Sequence, residues 1–125
     1  VAVGTGRCFE AIEQSSKVTS FVGVDLNEAM LEQAKTKLAD RPYETKLARA
    51  DAHQLPFADK SFDTVIGSLC LCAVERPAEA LKEMVRVCRP GGQILLVEPG
   101  LAKRAIVRAG QRYMGLVPNP KHKWE

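Results

Sequence analysis

Short apolar segments alternate with helix-like segments along the first 100 residues of this chain. The predicted strands are residues 1–3, 21–25, 45–50, 62–69 and 93–98, and the predicted helices are 7–14, 27–39 and 77–88. Strands and helices that alternate at this spacing imply a parallel sheet with right-handed crossovers. We therefore expect an α/β fold with a doubly wound, Rossmann-like, mostly parallel sheet, strand order 3-2-1-4-5, helices on both faces, and truncation at both ends.

Three local signals define the predicted helices. Asn27 stands where an N-cap is expected, just before the helical spacing begins. In the helix over 77–88, the apolar spacing predicts an inner stripe. The residues of that stripe are Leu81, Met84, Val85 and Cys88. The Arg-Pro-Gly-Gly stretch at 89–92 predicts a sharp stop and turn before the last strand.

The chain has 125 residues and 46% apolar residues, which is ordinary for one globular domain. No apolar run approaches the roughly 18 residues that a membrane span needs. The charge is uneven, with a net −2 over residues 1–100 and +5 over 101–125. We expect a ligand-binding core over 1–100, followed over 101–125 by a basic helix and an irregular tail of the same domain.

The four cysteines are Cys8, Cys70, Cys72 and Cys88. They are too sparse for a disulfide scaffold, so we interpret them as reduced, buried thiols of an intracellular protein. No second cysteine pair or histidine lies at zinc-type spacing from the Cys-x-Cys pair, and no metal site is predicted. The cytoplasm and the mitochondrion both remain open as compartments.

A glycine-rich turn joins the first predicted strand to the first predicted helix. Gly4 and Gly6 allow close backbone approach to a ligand, and the helix start supplies unpaired N–H groups. Asp25 ends the next strand, at a spacing that suits a carboxylate accepting from ribose hydroxyls. A dinucleotide motif needs a small residue where Phe9 stands, so this pattern favours another nucleotide-like cofactor.

Five segments together carry a family resemblance: residues 1–6, 21–27, 50–57, 61–65 and 83–92. In this order and spacing they resemble class I S-adenosylmethionine-dependent methyltransferases. The resemblance implies S-adenosyl-L-methionine as cofactor. The cofactor-binding residues that it implies are Ala2, Gly4, Thr5, Gly6, Asp25, Leu26, Asp51, Ala52, Ser68 and Leu69. Ala2 departs from the family pattern, because it stands where the first glycine is usual.

The resemblance also implies individual roles. The glycine turn would face the methionine part of the cofactor, and Asp25 would bind the ribose. Leu26 would flank the adenine, Asp51 would accept from its amino group, and the N–H of Ala52 would meet a ring nitrogen. A carboxylate is an acceptor only, which suits both the hydroxyl and the amino donors.

The segment after the fourth strand indicates the kind of acceptor. Residues 68–74 resemble small-molecule methyltransferases, both the quinone type and a methyltransferase-like group of thiol and mitochondrial proteins. Ser68 and Leu69 would lie near the transferable methyl group. We expect methyl transfer to a small, apolar or lipid-like acceptor, and nucleic acid is not favoured. An NAD-dependent oxidoreductase and a non-catalytic binding or assembly module are the alternatives.

Two further features have competing interpretations. His53 is either a general base or, as we favour, a packing or surface residue. Arg104, Arg108 and Arg112 form one basic stripe at helical spacing. That stripe is either a solvated face or a peripheral contact with anionic membrane lipids.

Overall fold

The computed structural model describes residues 1–7, 9, 12, 18–38 and 41–98. Its elements are β1 (Ser20–Asp25), α1 (Glu28–Leu38), β2 (Glu44–Arg49), β3 (Phe62–Ser68), α2 (Pro77–Val87) and β4 (Cys88–Val97). The predicted elements that coincide with β1 to β3 and with both helices are confirmed to within about one residue at their described ends. Most of the predicted helix over 7–14 and the basic segment after residue 100 lie outside the described residues.

The strands form two parallel pairs, β1 with β2 and β3 with β4. Residues 1–3 lie between the pairs, because Val3 N–H donates to the Val24 carbonyl at 2.9 Å and Val1 N donates to the Ile66 carbonyl at 2.7 Å. The segments therefore lie side by side in the predicted order, although the described strands form two separate two-stranded sheets. Ala2 has a φ of +52°, which interrupts the extended backbone, so residues 1–3 bridge the pairs without forming a regular strand.

The two helices cover opposite faces of the sheet. Val65 of β3 packs in a core cluster with Met84 of α2, whereas the next residue, Ile66, packs against a second cluster that contains Leu31 of α1. Successive residues of a strand point to opposite faces. The doubly wound α/β arrangement with helices on both faces is thus confirmed.

The buried stripe of α2 differs in phase from the predicted one. The buried residues are Ala80, Met84 and Val87, whereas Leu81 and Val85 are 36% and 57% exposed. Cys88 already belongs to β4. The helix is apolar on more than one side, so its spacing alone could not define the face that the sheet covers.

β4 begins earlier than predicted, because α2 runs directly into it at Cys88. The pairing with β3 then shifts, and residues 89–92 bulge opposite Asp63. Gly91 supplies left-handed backbone in this bulge, with a φ of +76°. The helix does stop here as predicted, since α2 ends at Val87, but the Arg-Pro-Gly-Gly stretch is a bulge within the start of β4 and not a turn that precedes the strand.

The three described cysteines differ in their surroundings. Cys70 is buried, Cys88 is half-buried, and Cys72 is exposed, which corrects the expectation of uniformly buried thiols. Burial raises the pKa of the Cys70 thiol to about 11, so it stays protonated at neutral pH. Among the described residues, no three His, Cys, Asp or Glu side chains form a group that could hold a metal ion. Neither helix in the described ranges has the length and apolar character to cross a membrane.

Candidate cofactor site

The predicted site residues lie where parallel strands end at one edge of the sheet, the usual ligand-binding edge of such folds. Asp25 ends β1, and its carbonyl accepts the N–H of Ala50 at 3.1 Å. This contact brings the loop after β2, which begins near Asp51, beside the end of β1. Gly4 contacts Asp25 from the turn that follows residues 1–3. The structure thus brings together the glycine turn and the two acidic residues that the sequence predicted for the site.

Two backbone donors hold the Asp25 carboxylate. Gly4 N–H donates to Oδ2 at 2.8 Å, and Asn27 N–H donates to Oδ1 at 2.9 Å. Asn27 also caps α1, since its side-chain oxygen accepts the Ala29 N–H at 3.0 Å. Each carboxylate oxygen has a second lone pair, so Asp25 can accept further hydrogen bonds while it stays oriented.

The glycine turn is open to solvent at Gly4 and tightly packed at Gly6. Ala2, Gly4 and Gly6 all have left-handed backbone, with φ of +52°, +53° and +76°. A Cβ on Gly4 would meet nothing within 4 Å, so its missing side chain leaves room for a ligand to approach the backbone. A Cβ on Gly6 would overlap the buried ring of Phe9.

Phe9 therefore has a structural role. Its ring packs edge-on against Phe21 with centroids 5.1 Å apart and fills the space next to Gly6. In a dinucleotide motif the corresponding space serves close packing of helix and strand. Here the Phe9 ring occupies that space, which agrees with the prediction that Phe9 disfavours the close packing of a dinucleotide motif.

Three predicted residues flank the turn and the loop. The Leu26 carbonyl accepts a hydrogen bond from Arg49 Nε at 3.1 Å. The apolar Leu26 side chain is 59% exposed at the end of the strands. Thr5 is half-buried within the glycine turn. Ala52 is buried in the core cluster on the α2 side, which ties the loop to that core.

Asp51 is held by His53, which also contacts the start of α2. Both the N–H and the ring Nδ1 of His53 bond to Asp51 Oδ1, at 2.8 and 2.6 Å. The ring Nε2 accepts the Arg76 N–H at 3.3 Å. Since an N–H can only donate, this contact assigns the proton of the neutral ring to Nδ1. Both ring nitrogens of His53 thus have partners among the described residues, which agrees with the favoured packing interpretation, and that interpretation stays a prediction.

The Asp51 carboxylate is kept ionised by these contacts. The backbone hydrogen bond from His53, followed by the bond from its side chain, lowers the pKa of Asp51. Within the described chain both bonds fall on Oδ1, so Oδ2 is the oxygen available to a ligand. An ionised carboxylate at this position can accept a hydrogen bond from an amino group.

Arg86 of α2 clamps the loop after β2, and the sequence analysis missed this. Its guanidinium donates to the carbonyls of Leu55 and Phe57 at 2.9 and 2.8 Å and to Asp59 Oδ1 at 2.8 Å. It also forms a two-pronged ion pair with Glu83, at 2.7 and 2.8 Å. The spacing of Glu83 and Arg86 by three residues on one predicted helix was the available signal.

Ser68 and Leu69 lie at the end of β3, at the same edge of the sheet. Leu69 has left-handed backbone, with a φ of +53°, and its side chain is 54% exposed. Its N–H donates to the Val97 carbonyl at 2.7 Å, so the turn out of β3 is tied to β4. A bulky residue in this conformation is uncommon and marks a position held by its surroundings.

A cavity of about 450 Å³ runs along the sheet and is mostly apolar. Its lining includes Ile66, Leu95 and Val97. Of the predicted cofactor residues only Ala2 and Ser68 border it. The polar site at the strand ends is thus open to solvent. The cavity lies next to this site and shares only these two residues with it.

The pattern of donors and acceptors at this edge fits an adenosyl group. Asp25 and Asp51 offer acidic acceptors at neighbouring strand ends, which suit ribose hydroxyls and an adenine amino group. Leu26 adds an exposed apolar side chain, and the open space at Gly4 allows the backbone to approach a ligand.

The comparison with known families agrees with this site. The profile of the methyltransferase domain family matches residues 1–96, and the chain therefore belongs to that family. It is a class I, Rossmann-like methyltransferase domain, and S-adenosylmethionine is the cofactor of this class. This assignment argues against the NAD-dependent alternative.

Individual relatives have names that specify lipid-related acceptors. Over 99 residues the chain is 35% identical to phosphatidylethanolamine N-methyltransferase of Cereibacter sphaeroides, covering 78% of this chain and 47% of the relative. Over 112 residues it is 38% identical to demethylmenaquinone methyltransferase of Clavibacter sepedonicus, covering 88% and 44%. The chain thus spans less than half the length of these curated relatives.

A solved structure supports the fold assignment. The chain is similar to a SAM-dependent methyltransferase of Methanosarcina mazei, with a TM-score of 0.70 and 26% identity. The similarity covers 90% of this chain and 57% of the other.

Proposed function

We propose that the full-length protein transfers the methyl group of S-adenosylmethionine to a small, apolar or lipid-like acceptor. The observation that carries the cofactor part is the Asp25 carboxylate, held by Gly4 N–H and Asn27 N–H at the end of β1. The acceptor part rests on the two relatives whose names specify phosphatidylethanolamine and demethylmenaquinone.

Each predicted residue at the adenosyl end has a proposed role. Asp25 accepts from the ribose hydroxyls, Asp51 accepts from the adenine amino group, and Leu26 packs along the adenine. The Ala52 N–H donates to a ring nitrogen. The oriented carboxylates and the exposed Leu26 side chain support these roles.

The other predicted residues act at the methionine end. The residues of the turn that faces the methionine part are Ala2, Gly4, Thr5 and Gly6. Ser68 and Leu69 lie near the methyl group. The cofactor supplies an activated methyl group on a sulfonium leaving group. The chain therefore needs mainly to orient the acceptor and exclude water.

A second candidate is a module that binds the cofactor without transferring its methyl group. Ala2 favours it, because a left-handed φ of +52° is strained in a residue with a Cβ, and glycine is usual at this position. A binding role tolerates a small displacement of this turn better than a reaction that depends on alignment.

The basic stripe and the domain division remain proposals. Arg104, Arg108 and Arg112 lie outside the described residues, and we propose that they contact anionic lipid near a lipid-like substrate. We likewise propose that residues 1–100 form the cofactor-binding core and 101–125 a basic tail. Vesicle binding that is unaffected by anionic lipid content would contradict the membrane proposal.

The direct test of the proposed reaction uses methyl-labelled S-adenosylmethionine. The full-length protein is incubated separately with phosphatidylethanolamine and with a demethylated menaquinone, and label is measured in the organic extract. We expect label to enter at least one lipid class, and the Asp25→Ala variant to lose most of this transfer. Binding of S-adenosylhomocysteine without transfer to either acceptor would favour the non-catalytic module.

A further inference from the structure

Glu98 receives two successive backbone N–H groups from the loop that follows β3. Leu71 N–H donates to Oε1 at 2.8 Å, and Cys72 N–H donates to Oε2 at 3.1 Å. Glu98 follows directly after β4 and is half-buried. The contact therefore joins two strand ends that are adjacent in the sheet and far apart in the chain.

These two N–H groups need a partner from outside their own segment. The Cys70 carbonyl accepts the N–H groups of Ala73 and Val74, at 3.0 and 3.2 Å, which closes one helical turn. The first N–H groups of such a turn have no acceptor within it. The Glu98 carboxylate supplies one, and its negative charge suits the amino end of the turn.

The anchored loop begins with Leu69, one of the strained residues of the site. Leu69 keeps its left-handed backbone while its N–H bonds to the Val97 carbonyl. Such a conformation persists only where the surroundings over-determine it. The Glu98 bond to Leu71 N–H, two residues further on, adds a second anchor beside the first.

The chemistry of the contact requires a carboxylate. Both Glu98 oxygens accept, one from each N–H group. The amide of a glutamine has one acceptor oxygen and would turn an NH₂ donor toward the other N–H. Although Cys72 as a residue is exposed, partial desolvation of its thiol, followed by the hydrogen bond and charge of Glu98, raises the pKa of this thiol, which is consistent with a carboxylate close to this turn.

We propose that Glu98 is a positioning residue that fixes the loop after β3, so that Ser68 and Leu69 are held at the methyl-bearing end of the cofactor. The proposal rests on the proposed cofactor function. It concerns a residue beyond the 1–96 segment that the family profile matches.

The test compares Glu98→Gln with Glu44→Gln in the full-length protein. Glu44 is an exposed glutamate at the other end of the sheet, paired with Lys46 at 2.9 Å, so it is a matched control. Amide hydrogen exchange is followed by NMR. In Glu98→Gln we expect the Leu71 and Cys72 amides to exchange at least about tenfold faster. The Ala50 amide, bonded to the Asp25 carbonyl, should keep its protection and reports that the sheet is folded.

The second readout is the affinity for S-adenosylhomocysteine, measured by calorimetry on the same proteins. We expect Glu98→Gln to raise the dissociation constant about three- to tenfold and Glu44→Gln to leave it unchanged. Faster loop exchange with unchanged affinity would overturn the positioning role, and unchanged exchange would overturn the contact itself. If the wild-type protein binds no S-adenosylhomocysteine, the proposed function fails and the positioning role fails with it.

Discussion

Gly4 and Asp25 are joined by a hydrogen bond of 2.8 Å from the Gly4 backbone N–H to Oδ2 of the Asp25 carboxylate. The bond connects the glycine turn to the end of β1, two features that the sequence presents separately. The glycine turn therefore orients the Asp25 side chain, and the Asp25 carboxylate also stabilises the conformation of the glycine turn. The predicted contacts to the methionine part and to the ribose thus depend on one local arrangement.

Gly6 and Gly91 separate the two reasons why a glycine is needed. Both have a φ of +76°, but a Cβ on Gly6 overlaps Phe9, whereas a Cβ on Gly91 meets nothing within 4 Å. Gly91→Ala should cost about 0.5–1 kcal/mol of unfolding free energy, because the lower unfolded-state entropy of alanine offsets about half of the left-handed strain. Gly6→Ala should cost about 1–3 kcal/mol more, because the Phe9 ring must move. Urea unfolding of the full-length protein measures both values, and equal losses would contradict the packing of Phe9 against Gly6.

Ala2→Gly should stabilise the protein. The left-handed backbone of Ala2 costs about 1–2 kcal/mol, and the extra unfolded-state entropy of glycine offsets about half of that. The expected net gain is about 0.5–1 kcal/mol in urea unfolding. Ala29→Gly, at an exposed position of α1, should instead lower the stability. A loss of stability in both variants would mean that Ala2 is not strained.

Glu83 should make the free energy of unfolding decrease more steeply as the pH falls into the acid range. Its hydrogen-bonded ion pair with Arg86 holds the pKa of Glu83 below its usual value of 4.5. A carboxyl group whose folded pKa is depressed stabilises the fold above its unfolded pKa and loses that contribution as pH falls through the folded pKa. The urea midpoint should therefore decrease as the pH falls below about 4.5, and Glu83→Gln should flatten this decrease. Glu44→Gln should retain the wild-type pH dependence, and an equally steep decrease in Glu83→Gln would rule out this contribution.

His53 should affect cofactor affinity and have no part in proton transfer. Its ring bonds to Asp51 and accepts the Arg76 N–H, so His53→Ala should weaken S-adenosylhomocysteine binding about three- to tenfold. Gln54→Ala removes the exposed neighbouring side chain and should leave the affinity unchanged. Unchanged affinity in His53→Ala, together with loss of methyl transfer, would instead indicate a general base.

The features predicted from the sequence depend on local signals. Strand and helix alternation, the Asn27 cap and the position of Asp25 each follow from a few neighbouring residues, and the structure contains all three. The glycine turn was found in the same way. Its bond to Asp25 was not predictable in this way, because it depends on the placement of residues 1–3 beside β1.

The features that the sequence analysis missed depend on contacts between distant residues. Arg86 reaches Leu55 and Phe57 about 30 positions away, and Glu98 reaches Leu71 27 positions away, so no periodicity reveals either contact. The prediction of which face of α2 is buried was wrong for a related reason. Ala80 is buried and the larger Val85 is exposed, because the packing of the helix on the sheet decides burial more strongly than side-chain size.

The central claim is tested most directly by calorimetric titration of the full-length protein with S-adenosylhomocysteine and, separately, with NAD. We expect S-adenosylhomocysteine to bind and NAD not to bind. Asp25→Ala should weaken the binding of S-adenosylhomocysteine at least about tenfold, and Glu28→Ala, an exposed acid of α1, should not. Binding of NAD alone, or the same S-adenosylhomocysteine affinity in Asp25→Ala as in the wild type, would contradict the proposed cofactor site.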